Sequence, residues 1–217
     1  MRRSPRVAAA SGLRAGAVRE AGAGTKLVCV VLVAGPEWVA VDGASGAYLR
    51  PYCCPAVSPE LAVAGEVSLH APLGLVELTL GPESRAPDPS RPEAVTIALH
   101  KELALPARRV VRRLIGRLVT KAPELPLLGS IGPSVAYCEL DGNRPSVVLV
   151  SPDQRPRFGN GPSGPWCQFS LAGRRHSLAF SGRPEEAHGQ LLVVGYGRPR
   201  GGQVPKIVLG VINERAA

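Results

Sequence analysis

Glycine and proline interrupt this chain so often that it has little room for long helices. There are 25 Gly and 22 Pro among its 217 residues, spread along the whole length rather than gathered in one tract. Punctuation at that density marks turns and favours short strands over long helical stretches. The apolar residues between the breaks are mainly Val, Leu and Ala. They fall in short β-branched or alternating runs, which are strand signals.

From the start, Leu27 to Val33 reads as a strand ending at Gly35-Pro36. Trp38 to Val41 then runs into Asp42-Gly43, a hairpin signal, with Ala47 to Arg50 as the return strand. Glu66 to His70, Leu73 to Leu80 and Ala94 to Leu99 read as further strands, the last two separated by the proline-rich loop from Gly81 to Pro92. In the second half, Ser134 to Leu140 and Ser146 to Val150 read as a hairpin around Asp141-Gly142-Asn143, after which Ser151 to Pro165 reads as a polar loop. Trp166 to Leu171 and His176 to Phe180 flank a second turn, with Cys167, Phe169 and Leu171 on the apolar face. Leu191 to Val194 and Val204 to Ile212 are separated by the glycine-rich Gly197 to Gly202.

One segment has helical periodicity. At about 100° per residue, Val110, Val111, Leu114, Ile115, Leu118 and Val119 share one side of a wheel, with Arg109, Arg112, Arg113 and Arg117 on the other. Pro106 suits a first helical position and Pro123 bounds the far end. The expected fold is therefore α+β and strand-dominated, short antiparallel hairpins with one central basic amphipathic helix. Two organisations fit residues 27–217: one α+β domain, or two β-rich lobes, 27–100 and 130–217, joined by the helix 106–121. Residues 1–26 are basic and rich in small residues, and are expected to be a disordered tail; a transit segment is the other reading.

Charge narrows the function. The formal net charge is +9, but Met1 to Lys26 holds six basic residues and one acid, and Lys101 to Lys121 holds seven basic residues against Glu102. The only concentrated cation beyond the tail is thus the helix. Aromatic residues make up 4% of the chain, which disfavours a platform for stacking bases. No apolar run approaches the roughly 18 residues of a membrane-spanning helix, so no membrane association is expected. Five cysteines at irregular spacing do not form a secreted disulfide framework and point to a reducing, cytoplasmic setting.

Chemistry-bearing motifs are weak. Gly159-Asn160-Gly161-Pro162-Ser163-Gly164 has the spacing of a dinucleotide fingerprint, but a strand rather than a helix is expected after it. Cys53-Cys54 with His70, Cys138 with Asp141, and Cys167 with His176 lack metal-ligand spacing. No nucleophile elbow or zinc-protease helix is present, and His100 and His188 stand apart from any motif. Neither cofactor nor metal is expected. The chain reads as a non-enzymatic binding or interaction protein that contacts nucleic acid or an acidic protein surface through Arg109, Arg112, Arg113 and Arg117. The alternative is a small enzyme, a hydrolase or transferase, whose site is scattered in sequence. Oligomeric state is open.

Overall fold

A computed structural model describes residues 22–34, 38–53, 72–82, 88–103, 108–120, 126–142 and 145–213. The expected tail up to residue 21, the expected strand Glu66 to His70, and Cys54 and His70 lie outside the described residues.

The first five strands are β1 (Lys26–Val33), β2 (Val39–Asp42), β3 (Tyr48–Cys53), β4 (Leu75–Leu80) and β5 (Ala94–Glu102). They close into a barrel in the order β1-β2-β3-β5-β4. The β2–β3 hairpin turns at Asp42, whose carboxylate accepts the Ser45 N–H and hydroxyl and so satisfies the turn's donors. The seam is β3 against β5, a parallel pairing that runs from Arg50 opposite Ala94 to Cys53 opposite Ile97. Closure leaves this sheet without a free edge. Period-two alternation then fills the barrel: Cys29, Val31, Ala40, Leu49, Val76, Leu78 and Ile97 point inward as one cluster.

Next comes α1 (Arg108–Leu118), followed by β6 (Val119–Thr120), β7 (Ser134–Ala136), β8 (Val147–Val150), β9 (Arg157–Gly161), β10 (Gly164–Leu171), β11 (Arg174–Phe180), β12 (Leu191–Tyr196) and β13 (Gln203–Ile212). These strands form a second sheet ordered β6-β8-β12-β13-β11-β10-β9, with β7 pairing β13 to one side. Two of its pairings, β6 with β8 and β11 with β13, are parallel.

The expected α+β arrangement of antiparallel hairpins is therefore overturned. The protein is strand-dominated and built from two sheets, one a closed barrel, each containing parallel pairings. The single described helix is a plug between them rather than a layer. Strand periodicity reveals which residues face the core but not which strands meet, and parallel seams join strands far apart in sequence. Two local expectations fail for the same reason. Ser134 to Leu140 is a three-residue strand followed by a 3₁₀ turn at Tyr137–Glu139. It does not pair with residues 146–150: β7 pairs with β13, and β8 with β12 and β6. The expected loop Ser151 to Pro165 also contains β9, whose Gly-rich sequence hides its strand character.

The two sheets share a core. Alternation sends Val30 and Leu32 of β1 and Val39 and Val41 of β2 outward from the barrel, where they meet Val147, Leu149, Leu191, Val193 and Leu209. The helix seals this junction with Val111, Leu114 and Ile115. The opposite face of the second sheet buries Cys167, Phe169, Leu171, Leu178, Leu192, Val194 and Val208. All six residues of β12 are thus buried, between two apolar layers.

One polar assembly crosses the junction. Arg50 on β3 is 5% exposed and donates to the carbonyls of Tyr196 (2.9 Å) and Ser146 (3.2 Å). Glu93, 2% exposed, accepts the Ser146 N–H and hydroxyl, both at 2.5 Å, while its own carbonyl accepts the Arg50 N–H. Burial pushes the Glu93 carboxyl up, against the Ser146 hydrogen bonds and the Arg50 charge that pull it down. Arg50 can pass only because position 195 lacks a side chain: a Cβ on Gly195 would sit 2.3 Å from Arg50 Nη2 and 2.6 Å from Leu209 Cδ1. Gly195→Ala is expected to destabilise the protein by about 3 kcal/mol, measured by denaturant unfolding. Part of that loss disappears when Arg50 is also changed to Met, which a double-mutant cycle reads as coupling.

Candidate functional site

The helix places its arginines as the wheel requires. Arg109, Arg112, Arg113 and Arg117 are all exposed, and Val111, Leu114 and Ile115 behind them are buried. The first turn contains no acid to complement the helix dipole. None of the four guanidiniums forms an ion pair with another described residue.

The other sequence candidates do not converge. Gly159 and Gly161 lie on β9 beneath the ring of Trp166, where a Cβ on Gly159 would come within 2.4 Å of Trp166 Cζ2. The glycines therefore seat an indole in a strand-turn-strand hairpin, and no helix follows to receive a pyrophosphate. Cys29 and Cys167 are buried, and burial pushes both thiols up to about 12, with Asp42 adding to the effect at Cys29. Such thiols are unreactive at neutral pH. Cys138 is exposed. Among the described residues no three His, Cys, Asp or Glu side chains gather as a metal site.

A site that sequence reasoning missed lies on the far side of the second sheet from the helix. Residues 126–133 fold over the start of β11 and leave a cavity of about 380 Å³. Leu127, Ile131, Leu171 and Leu178 give it apolar walls, and Ser130, Arg174, Arg175 and His176 supply its polar groups. The 126–133 segment is held rigidly: Tyr196 Oη donates to the Leu128 carbonyl at 2.7 Å, and the Lys206 N–H donates to Pro133 O at 2.7 Å. Leu128 adopts φ +54°, a left-handed conformation costly for a leucine, which these bonds and its own burial maintain.

Lys206 lies beneath this segment. It is 2% exposed, and its ammonium donates to the Ser130 carbonyl at 2.5 Å. Among the described residues that carbonyl is its one acceptor. Burial holds the ammonium down at about 8. His176 stacks on Phe169 with ring centroids 5.1 Å apart. Burial, then the charges of Lys206 and Arg174, lower its pKa and keep it neutral at pH 7. Ser130 Oγ is buried without a hydrogen-bond partner. No sequence signal marks these residues as a set, because Ser130, Arg174 and Lys206 belong to three separate segments and Lys206 alternates with apolar neighbours on β13.

Below pH 8 Lys206 is charged in both folded and unfolded chains, and the whole penalty of burying it is present. As pH rises towards 10.5, its ordinary value, the folded chain loses the proton first and the penalty is relieved. Arg174 and His176 face it from β11, and His176, its pKa lowered, does not change charge in that window. Lys206→Met is therefore expected to gain stability relative to wild type at pH 7, and that advantage should shrink by about 1–3 kcal/mol by pH 10.5. Paired denaturant titrations across this range check it.

Comparison with known proteins returns no match: no family model, no curated protein and no solved structure matches this chain.

Proposed function

We propose that this chain is a non-enzymatic, cytoplasmic binding protein that contacts a polyanion, nucleic acid foremost, through Arg109, Arg112, Arg113 and Arg117. The observation that carries this reading is the uncompensated charge of α1. Arg109 with Arg113 and Arg113 with Arg117 are like-charge pairs at i,i+4, each costing a few tenths of a kcal/mol. Arginine in the first turn opposes the helix dipole as well. A surface helix selected for stability alone would interleave acids here. Guanidiniums on successive turns suit phosphate oxygens, which accept paired N–H donors.

The barrel supports the same surface by exclusion. Five-stranded Greek-key barrels that bind oligonucleotides do so across the face of their second and third strands. Here β2 is buried along its whole length, and Tyr48 and Arg50 of β3 bond to Leu149, Ser146 and Tyr196 of the second sheet. That face is occupied from within the chain. The helix offers a cationic surface instead, and contacts from it reach backbone phosphates rather than base edges, so binding is weakly sequence-selective. No described helix is long and apolar enough to cross a membrane. The free thiols of Cys29, Cys138 and Cys167 accord with a reducing compartment.

The test is salt dependence. Affinity for duplex or single-stranded DNA is expected to fall steeply with salt. Changing all four arginines to Gln should flatten the slope of log K against log salt by up to about 3–4 units while the unfolding midpoint holds. Absence of binding to either form at low salt would reject nucleic acid as the partner and leave an acidic protein surface to be tried.

A further inference from the structure

We propose that the cavity between residues 126–133 and β11 is a binding site for a small amphipathic carboxylate, a molecule with one carboxylate on a short apolar body. The proposal is independent of the helix, whose apolar side belongs to the core on the other face of the sheet.

Three observations meet there. The charged side chains lining the cavity are of one sign: Arg174 and Arg175 are there, and no Asp or Glu is among its described lining residues. Lys206 bonds to the Ser130 carbonyl beneath it, while the Asp153 carboxylate nearby is held by the backbone N–H groups of Ala172 and Gly173. Low-dielectric walls focus such a field on an anion. Second, polar capacity is left over. A buried ammonium normally engages a carboxylate or several acceptors, yet Lys206 has the Ser130 carbonyl alone among the described residues, and Ser130 Oγ, itself buried, has no partner. A carboxylate supplies the missing acceptor for Ser130 Oγ–H and the missing counter-charge for Lys206. Third, the remaining wall is apolar. Leu127, Leu171 and Leu178 belong to the core cluster beneath, while Ile131 is 81% exposed at the cavity, where an apolar body would cover it.

His176, neutral and stacked on Phe169, adds a flat wall rather than a fourth charge. The geometry points to a ligand of limited length, since 380 Å³ lies at the small end of ligand cavities. The rigid tethering of residues 126–133 by Tyr196 and Lys206 means that the site is formed before the ligand arrives.

Hexanoate titrated into the isotopically labelled full chain, followed by amide NMR, tests the proposal, with hexanol and inorganic phosphate as comparison probes. Saturable shifts at Ser130, Ile131 and Arg174 to Ser177 at millimolar hexanoate are expected, with hexanol and phosphate each at least roughly tenfold weaker. Arg174→Gln and Arg175→Gln, both at exposed positions, and Lys206→Met should each weaken hexanoate by roughly tenfold. The quadruple Gln variant of the helix should bind it unchanged. No saturable shift with hexanoate, equal binding of hexanol, tighter binding of phosphate, or wild-type affinity in the Arg174→Gln and Arg175→Gln chains would each overturn it.

Discussion

The arrangement of the two sheets depends on one guanidinium. Arg50 leaves the barrel seam, crosses the backbone of β12 at a glycine and ends on the carbonyls of Tyr196 in β12 and of Ser146 just before β8. A buried arginine carries a desolvation cost that apolar packing does not offset, so its position is acceptable only where every partner is in place. Those partners fix geometry that apolar contact leaves free. Valine and leucine tolerate sliding between sheets, whereas Arg50, Glu93 and Ser146 form a polar junction with one register. Glu93 completes it by holding the Ser146 N–H and hydroxyl in the chain just before β8.

From that fixed junction the other features follow. The outward residues of β1 and β2 become core rather than surface, so the barrel presents no groove on that side. The junction of the two sheets is sealed by α1, whose Val111, Leu114 and Ile115 face the shared core and whose exposed side carries Arg109, Arg112, Arg113 and Arg117. β12, sandwiched between two apolar layers, loses any polar face. What stays open to solvent lies at the margins: the helix surface on one side, and on the other the cavity under residues 126–133.

Much of this was legible in the sequence, and the reasons differ by element. The β2–β3 and β10–β11 hairpins could be read because their turns are local and their strands alternate; Cys167, Phe169 and Leu171 are buried and Gln168 is exposed, as period two requires. The helix was readable from its arginine and aliphatic stripes. Barrel closure was not, because the β3–β5 seam joins Arg50 to Ala94 across residues whose sequence carries no trace of the pairing. The end of β7 is not legible, since a run such as Ser134 to Leu140 looks continuous in sequence while the chain bends away from the ladder at Tyr137. The cavity was invisible for a related reason. Its polar groups come from a loop, a hairpin and a late strand, and an isolated lysine between Pro205 and Ile207 reads as an ordinary outward residue of an edge.

β13 holds a central place in the second sheet, between β12 and β11 and beside β7, although it is the last described strand in the chain. On the ribosome this order has a consequence. The barrel can close once residue 102 has emerged, but its outward valines and leucines stay uncovered until residue 212 arrives to finish the sheet that shields them. For the whole of that interval the nascent chain exposes an apolar stripe to its surroundings, where collapse against another chain competes with waiting. Its vulnerable period is set by the translation of its second half, and synonymous changes that slow elongation between residues 102 and 212 would lengthen it without altering a single contact of the finished molecule.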